Sequence, residues 1–234
     1  MTAAGAVGAA GWAFLLFAGV GLPLAAVGFA RGEAGRERDP SRASLYASAL
    51  LTHAMLLAAA LLASRAEGLT LGGGSGADPR HLAAAAATLL AAVAVGELSW
   101  RSRTSAERER LWVRRVVPQT PAERRLWLVV SAGAAIAEEA AYRGAFVAFA
   151  AAATGSVPVA VVASAVAFAA VHAPQGLASV GYVLVLALLH HALVLYTGTL
   201  LLAVAVHFSY DVLAGLWLAK RHGLTAAAAH VPRS

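Results

Sequence analysis

The chain has 234 residues, of which 60% are hydrophobic and 13% charged, and its mean hydropathy is +0.71. Soluble domains carry about 25% charged residues, so the composition excludes an ordinary soluble fold and points to an all-α, polytopic membrane protein. The net charge of +6 does not indicate a nucleic-acid partner, because the basic residues sit in loops beside apolar spans, where they act as topology signals. The lack of cysteine excludes disulfides and thiolate metal sites.

Seven apolar spans are expected, each except the fifth close to the roughly 20 residues that a bilayer crossing needs. Span 1 runs from about Gly11 to Ala30; no positive charge precedes it and it is too long for a signal peptide. A polar loop from Arg31 to Arg42 leads to span 2, Leu45 to Ala63. A flexible glycine-rich loop, Gly72 to Gly76, precedes span 3, His81 to Leu98. The long hydrophilic loop Trp100–Arg125 alternates basic and apolar groups near Arg108–Val117, a pattern that suits either a helix along the membrane surface or a solvated loop. Pro118 and Pro121 end it before span 4, Leu126–Ala153. After the turn at Thr154–Pro158 come the short span 5 (Val159–Ala173), an interruption at Pro174–Gly176, span 6 (Leu177–Tyr196), the turn Thr197–Gly198 and span 7 (Thr199–Ala219).

Arginine placement sets the orientation. Loop 1 carries Arg31, Arg36, Arg38 and Arg42; loop 3 carries eight arginines from Arg101 to Arg125; the tail adds Lys220, Arg221 and Arg233. The opposite side has only Arg65 and Arg80. The positive-inside rule then puts the N-terminus outside and the C-terminus in the cytoplasm. The arginine and alanine bias is that of a GC-rich, bacterial coding sequence, so the expected location is the inner (plasma) membrane, crossed several times.

Span 4 contains Glu138, Glu139 and Arg143. Each such residue costs roughly 2.5–3.5 kcal/mol at mid-membrane even on lenient scales, so the cluster must face a protein interior or a wet cavity, and is by default a functional site. Glu139 and Arg143 are i,i+4 and can pair. Glu138 points about 100° away, and its partner must come from another helix. Two histidines come with a pattern: Phe168 stands four residues before His172, and Asp211 four residues after His207. His53, His190 and His191 have no patterned partner and read as structural hydrogen-bonders. Glu138, His172 and His207 together form a minimal water-activating set, with a carboxylate as general base and histidines at the oxyanion. The same three can ligate a divalent metal such as zinc, although the His-Glu-x-x-His pattern of zincins is absent. Glu138 lies about 13 residues, roughly 20 Å, from the cytoplasmic end of its span; His207 is at mid-span; His172, near the cytoplasmic end of span 5, fits this depth less well.

Glu-Glu-x-x-x-Arg at 138–143, Phe-x-x-x-His at 168–172 and His-x-x-x-Asp at 207–211 resemble, in order and spacing, the three motifs of the CAAX prenyl endopeptidases, the type II CAAX protease or CPBP (Abi) family of intramembrane endopeptidases. Arg143-Gly144, His172-Ala-Pro-Gln-Gly and Thr197-Gly198 add to the likeness, which covers roughly Pro118 to Ala219. The resemblance implies a helical membrane bundle with a catalytic cavity. Residues 118–220 would form its catalytic region, 1–117 an N-terminal three-span region with a basic cytoplasmic loop, and 221–234 a short tail. It implies peptide-bond hydrolysis by water activated by Glu138 and His172, with His207 and Asp211 at the oxyanion, and it leaves open whether a metal takes part. An ionised Asp cannot donate to an oxyanion, so Asp211 is expected to orient His207 while His207 donates. Glu139, Arg143 and Phe168 are read as supporting residues.

The expected partners are the lipid bilayer and a membrane-associated peptide or protein substrate, since bacteria largely lack prenylated cysteine. Two rivals stand beside this reading. One is a non-enzymatic scaffold or bacteriocin self-immunity protein of the same family, which would tolerate loss of Glu138. The other is a proton-relay transporter, against which stand the lack of inverted repeats and the gathering of charges at one site.

Overall fold

The computed structural model describes residues 7–34, 40–73, 78–109 and 113–224. Arg36 and Arg38 of the first loop, most of the glycine-rich stretch, residues 110–112 of the basic loop and Arg233 of the tail lie outside the described residues. All the described secondary structure is helical, with no strand. In chain order the α-helices are α1 (Ala9–Leu16), α2 (Leu22–Ala34), α3 (Arg42–Ala66), α4 (Pro79–Arg101), α5 (Ser105–Glu109), α6 (Val113–Val116), α7 (Pro121–Glu138), α8 (Val147–Thr154), α9 (Val157–Val171), α10 (Leu177–Thr197), α11 (Leu200–Leu213) and α12 (Ala219–Arg221). Wider π turns join α1 to α2, α7 to α8 and α11 to α12, so each of these pairs is one continuous helix.

Local chemistry fixes the helix ends. Ser41, Asp78, Ser156 and Thr199 accept N-cap hydrogen bonds at the starts of α3, α4, α9 and α11. Thr120 and Glu123 form a reciprocal capping box ahead of α7, with Pro121 in the first turn, where its missing N–H does no harm. Burial pushes the Glu123 carboxyl up, but donated hydrogen bonds from the Gln119 and Thr120 amides outweigh it and hold the group below its ordinary value. Gly155 and Gly198 end α8 and α10 at φ 68° and 67°, the left-handed conformation that glycine adopts without strain. The start of α1 is capped from a distance: the Glu67 carboxylate, just past α3, accepts from the amides of Gly8 at 2.9 Å and Gly11 at 3.0 Å.

Five helices are long and apolar enough to cross a membrane: Ala9–Gly32, Arg42–Ala66, Pro79–Arg101, Leu177–Thr197 and Leu200–Arg221. Of the other two expected spans, Val157–Val171 is apolar but shorter. The remaining one lies within the α7–α8 helix, whose apolar run is interrupted by Glu138, Glu139 and Arg143. Leu16, Leu51, Leu62, Leu90, Leu98, Val162 and Leu195 are exposed on the outside of the bundle, as in a membrane protein whose backbone polar groups are satisfied within helices.

Inside, α3 packs along α7, α7 along α11, α11 on α4, α4 on α10, and α10 on α9, which also contacts α8. The largest core cluster mixes many alanines with Phe14, Tyr142, Phe146, Phe149 and Phe168. Small residues let helices approach closely where apolar surroundings give no hydrophobic drive. The basic loop folds against one end of the bundle: Tyr46 Oη donates to the Val116 carbonyl at 2.6 Å, and Gln119 Nε2 to the Leu224 carbonyl at 3.0 Å.

Candidate active site

The α7–α8 helix changes geometry where its charges lie. Glu139–Phe146 is a π turn, a feature frequent at functional sites. Within it the Tyr142 carbonyl accepts from Ser164 Oγ of α9 at 2.7 Å, so the widened turn leaves this acceptor satisfied. Glu138 and Glu139 then face opposite surroundings. Glu138 lines a cavity of about 380 Å³, whereas Glu139 is fully buried behind it.

Glu139 holds two groups. Its Oε2 is 3.4 Å from Arg143 Nε, the i,i+4 pair expected from the sequence. Its Oε1 accepts from His207 Nδ1 at 2.8 Å. A carboxylate only accepts, so His207 carries a proton on Nδ1 and turns Nε2 towards the cavity side. That Nε2 is 3.7 Å from Glu138 Oε2 and 3.7 Å from Asp211 Oδ2. Asp211 was expected to orient His207; the ring is instead held by Glu139 of the neighbouring helix. The physical reason is reach: the i,i+4 spacing brings Asp211 to 3.7 Å from the ring, beyond hydrogen-bonding distance, while the buried Glu139 comes to 2.8 Å.

His172 follows the last residue of α9, where a 3-10 turn (Ala173–Gln175) takes over. Its Nδ1 donates to the Phe168 carbonyl at 3.0 Å, which leaves the Nε2 lone pair as the ring's basic site. The Arg143 guanidinium lies over the Phe168 ring at 4.5 Å, and that ring is 5.1 Å from His172, so Phe168 separates the cation from the histidine. The shallow position of His172 is no obstacle, because the cavity extends to Val116, Val117 and Gln175 at the loop end of the bundle.

Glu138, His172, His207 and Asp211 therefore line one cavity, with Arg143 and Phe168 in its wall. Two histidines that were read as structural also belong to it. His53 Nε2 of α3 is 3.2 Å from Glu138 Oε1. The His190 ring of α10 stands edge-on to His207 at 5.5 Å, with Nδ1 donating to the Leu186 carbonyl at 2.9 Å. No local motif marks either residue; the one available signal was that His53 lies near the middle of its helix, at a depth comparable to Glu138.

Glu138, His172 and His207 line one cavity but are not a group with ligand spacing. Among the described residues the group with ligand spacing is Glu139, His190 and His207, whose ligand atoms lie within 4.8 Å of one another. There the carboxylate already serves His207 Nδ1 and Arg143, and the buried guanidinium opposes a dication. The arrangement suits a water held between Glu138 Oε2 and His207 Nε2, with a proton acceptor on one side and an orientable imidazole on the other.

Residues 121–213 match the family model of the Rce1-like type II CAAX prenyl endopeptidases. This segment contains all three motifs on which the resemblance was read. No curated protein and no solved structure matches the chain significantly.

Proposed function

We propose that this chain, whose residues 121–213 form an Rce1-like type II CAAX prenyl endopeptidase segment, is an intramembrane endopeptidase acting on membrane-associated peptides or proteins. The observation that carries the reading is the Glu138 carboxylate on the cavity wall, facing His207 Nε2 at 3.7 Å. Glu138 takes a proton from water as general base, and the resulting hydroxide attacks the scissile carbonyl carbon. The carbonyl oxygen becomes an oxyanion, to which His207 in its protonated form donates from Nε2. Collapse of the tetrahedral intermediate breaks the C–N bond, and Glu138 returns its proton to the leaving amine. His172 accepts a hydrogen bond from the water through its free Nε2. Asp211 polarises the same region without fixing the ring.

The proposed topology has seven crossings, the α7–α8 helix and α9 supplying the two that are charged or short. The N-terminus lies outside and the C-terminus in the cytoplasm of the inner membrane. It is supported by the contacts of α3 and the tail with the basic loop, which gather loop 1, loop 3 and the C-terminal helix at one end. Residues 118–220 serve as the catalytic region and 1–117 as the N-terminal three-span region.

Cleavage of a quenched lipidated-peptide library by the purified protein in detergent tests the proposal, wild type against Glu138→Gln, with and without a chelator. Cleavage by the wild type that Glu138→Gln abolishes and the chelator leaves intact is the expected result. Equal cleavage by both proteins would overturn the role of Glu138. Chelator sensitivity would overturn the metal-independent mechanism. Cleavage by neither would favour the scaffold or self-immunity reading.

A further inference from the structure

We infer that His53 is a positioning residue of the same active site, so that the N-terminal helices complete the catalytic apparatus; the inference rests on the endopeptidase reading. His53 lies in α3, outside the matched segment 121–213. Its Nε2 is 3.2 Å from Glu138 Oε1, and the two side chains are almost equally sheltered, 15% and 16% exposed. Both line the same cavity. At this ion-pair distance a carboxylate offers only acceptors, so a proton shared between the two belongs to Nε2. The contact occupies one carboxylate oxygen and leaves Oε2, the one nearer His207, for water.

The approach is built into the helix pair. Gly133 of α7 faces α3, and a Cβ there would come within 3.3 Å of Leu50 Cδ2 and 4.0 Å of His53 Nδ1. The missing side chain lets the helices close and sets His53 against the next turns of α7, where Glu138 projects. Nδ1 of His53 is buried and has no hydrogen-bond partner among the described residues. Glu138 is thus the polar group that the ring meets, through Nε2. A simple helix–helix tie would not need a carboxylate that also faces the cavity. Fixing that carboxylate holds the general base in one rotamer, which is what catalysis by a positioned group requires.

The test uses the full-length chain in detergent with a peptide that the wild type cleaves. His53→Ala is expected to lower kcat by up to about 100-fold, the cost of a small misplacement of a reacting group, with KM little changed. His53→Gln places an N–H near the same position and is expected to recover most of the lost kcat. A wild-type kcat in His53→Ala would overturn the inference. So would His53→Gln as slow as His53→Ala while both melt like the wild type. Thermal unfolding of His53→Ala, Glu138→Ala and the double variant supplies a readout independent of cleavage. Non-additive shifts are expected from a coupled pair, and strictly additive ones would overturn the pairing. If the wild type cleaves nothing, the endopeptidase reading fails on its own and the cycle still decides whether the two residues act together.

Discussion

Glu139 is where folding and chemistry draw on one carboxylate, and the two demands can be separated. Glu139→Met strands the Arg143 guanidinium, whose side chain is 1% exposed, and leaves His207 Nδ1–H without its acceptor at 2.8 Å. Removing one partner of a buried ion pair costs about 3–5 kcal/mol. At about 2–4 °C per kcal/mol for a chain of this size, the melting midpoint should fall by about 6–20 °C. Adding Arg143→Met removes the stranded charge. An apolar pair in place of a buried ion pair is often neutral, so the double variant should regain all but the roughly 1–3 kcal/mol of the orphaned imidazole N–H. Activity should not follow. With no acceptor at Nδ1 the His207 ring is free to change tautomer and rotamer, and the double variant should remain slower than wild type by about 100-fold or more, the lower range for a positioned acid–base group. The assay is kcat on a cleaved peptide beside a melting curve of each variant in one detergent. Full recovery of kcat in the double variant would refute the orienting role and reduce Glu139 to a neutraliser of Arg143. A wild-type melting curve for the single variant would refute the reasoning about the buried pair.

Two further outcomes follow from the same geometry. Asp211→Asn should keep cleavage within about tenfold of wild type, because His207 is held by Glu139 and Asp211 Oδ2 stands 3.7 Å from Nε2; a loss beyond about 100-fold would return the orienting role to Asp211. Glu67→Ala should lower the melting midpoint by about 2–8 °C, the effect of about 1–2 kcal/mol for a lost charged cap, since its carboxylate serves the amides of Gly8 and Gly11. An unchanged melting curve would mean that water caps α1 equally well.

Much of the bundle was legible because each signal was local. The break at Pro118 and Pro121 and the turns Thr154–Pro158 and Thr197–Gly198 fall at the start of α7 and the ends of α8 and α10. The Glu139–Arg143 pair was legible for the same reason, being set by spacing along one helix. The partner of Glu138 was legible only as a requirement: an unpaired buried carboxylate demands another helix, but spacing cannot name which one. His53 and His190 escaped because their significance arises from packing of α3 and α10 against the site, which no pattern within either helix encodes. The exchange of roles between Asp211 and Glu139 escaped for a related reason. On paper, i,i+4 neighbours look equivalent to any side chain that can reach. In the folded chain Glu139, at the start of the π turn, meets His207 Nδ1 at 2.8 Å, and Asp211 is left beside the other nitrogen at 3.7 Å.

The two adjacent glutamates do different work in one apolar span. On a regular helix they diverge by about 100°, which already separates their faces. Here the turn Glu139–Phe146 begins at the second glutamate. Within it Ser164 takes up the Tyr142 carbonyl, while Glu138, the last residue of α7, faces His53 of α3 and His207 of α11. The consequence reaches beyond the matched segment. The face of α7 that carries Gly133 is covered by α3, so the environment of Glu138 is completed by residues before 121. On the proposed reading, the chemistry of the three motifs draws on a helix that carries none of them, α3, whose His53 stands 3.2 Å from Glu138.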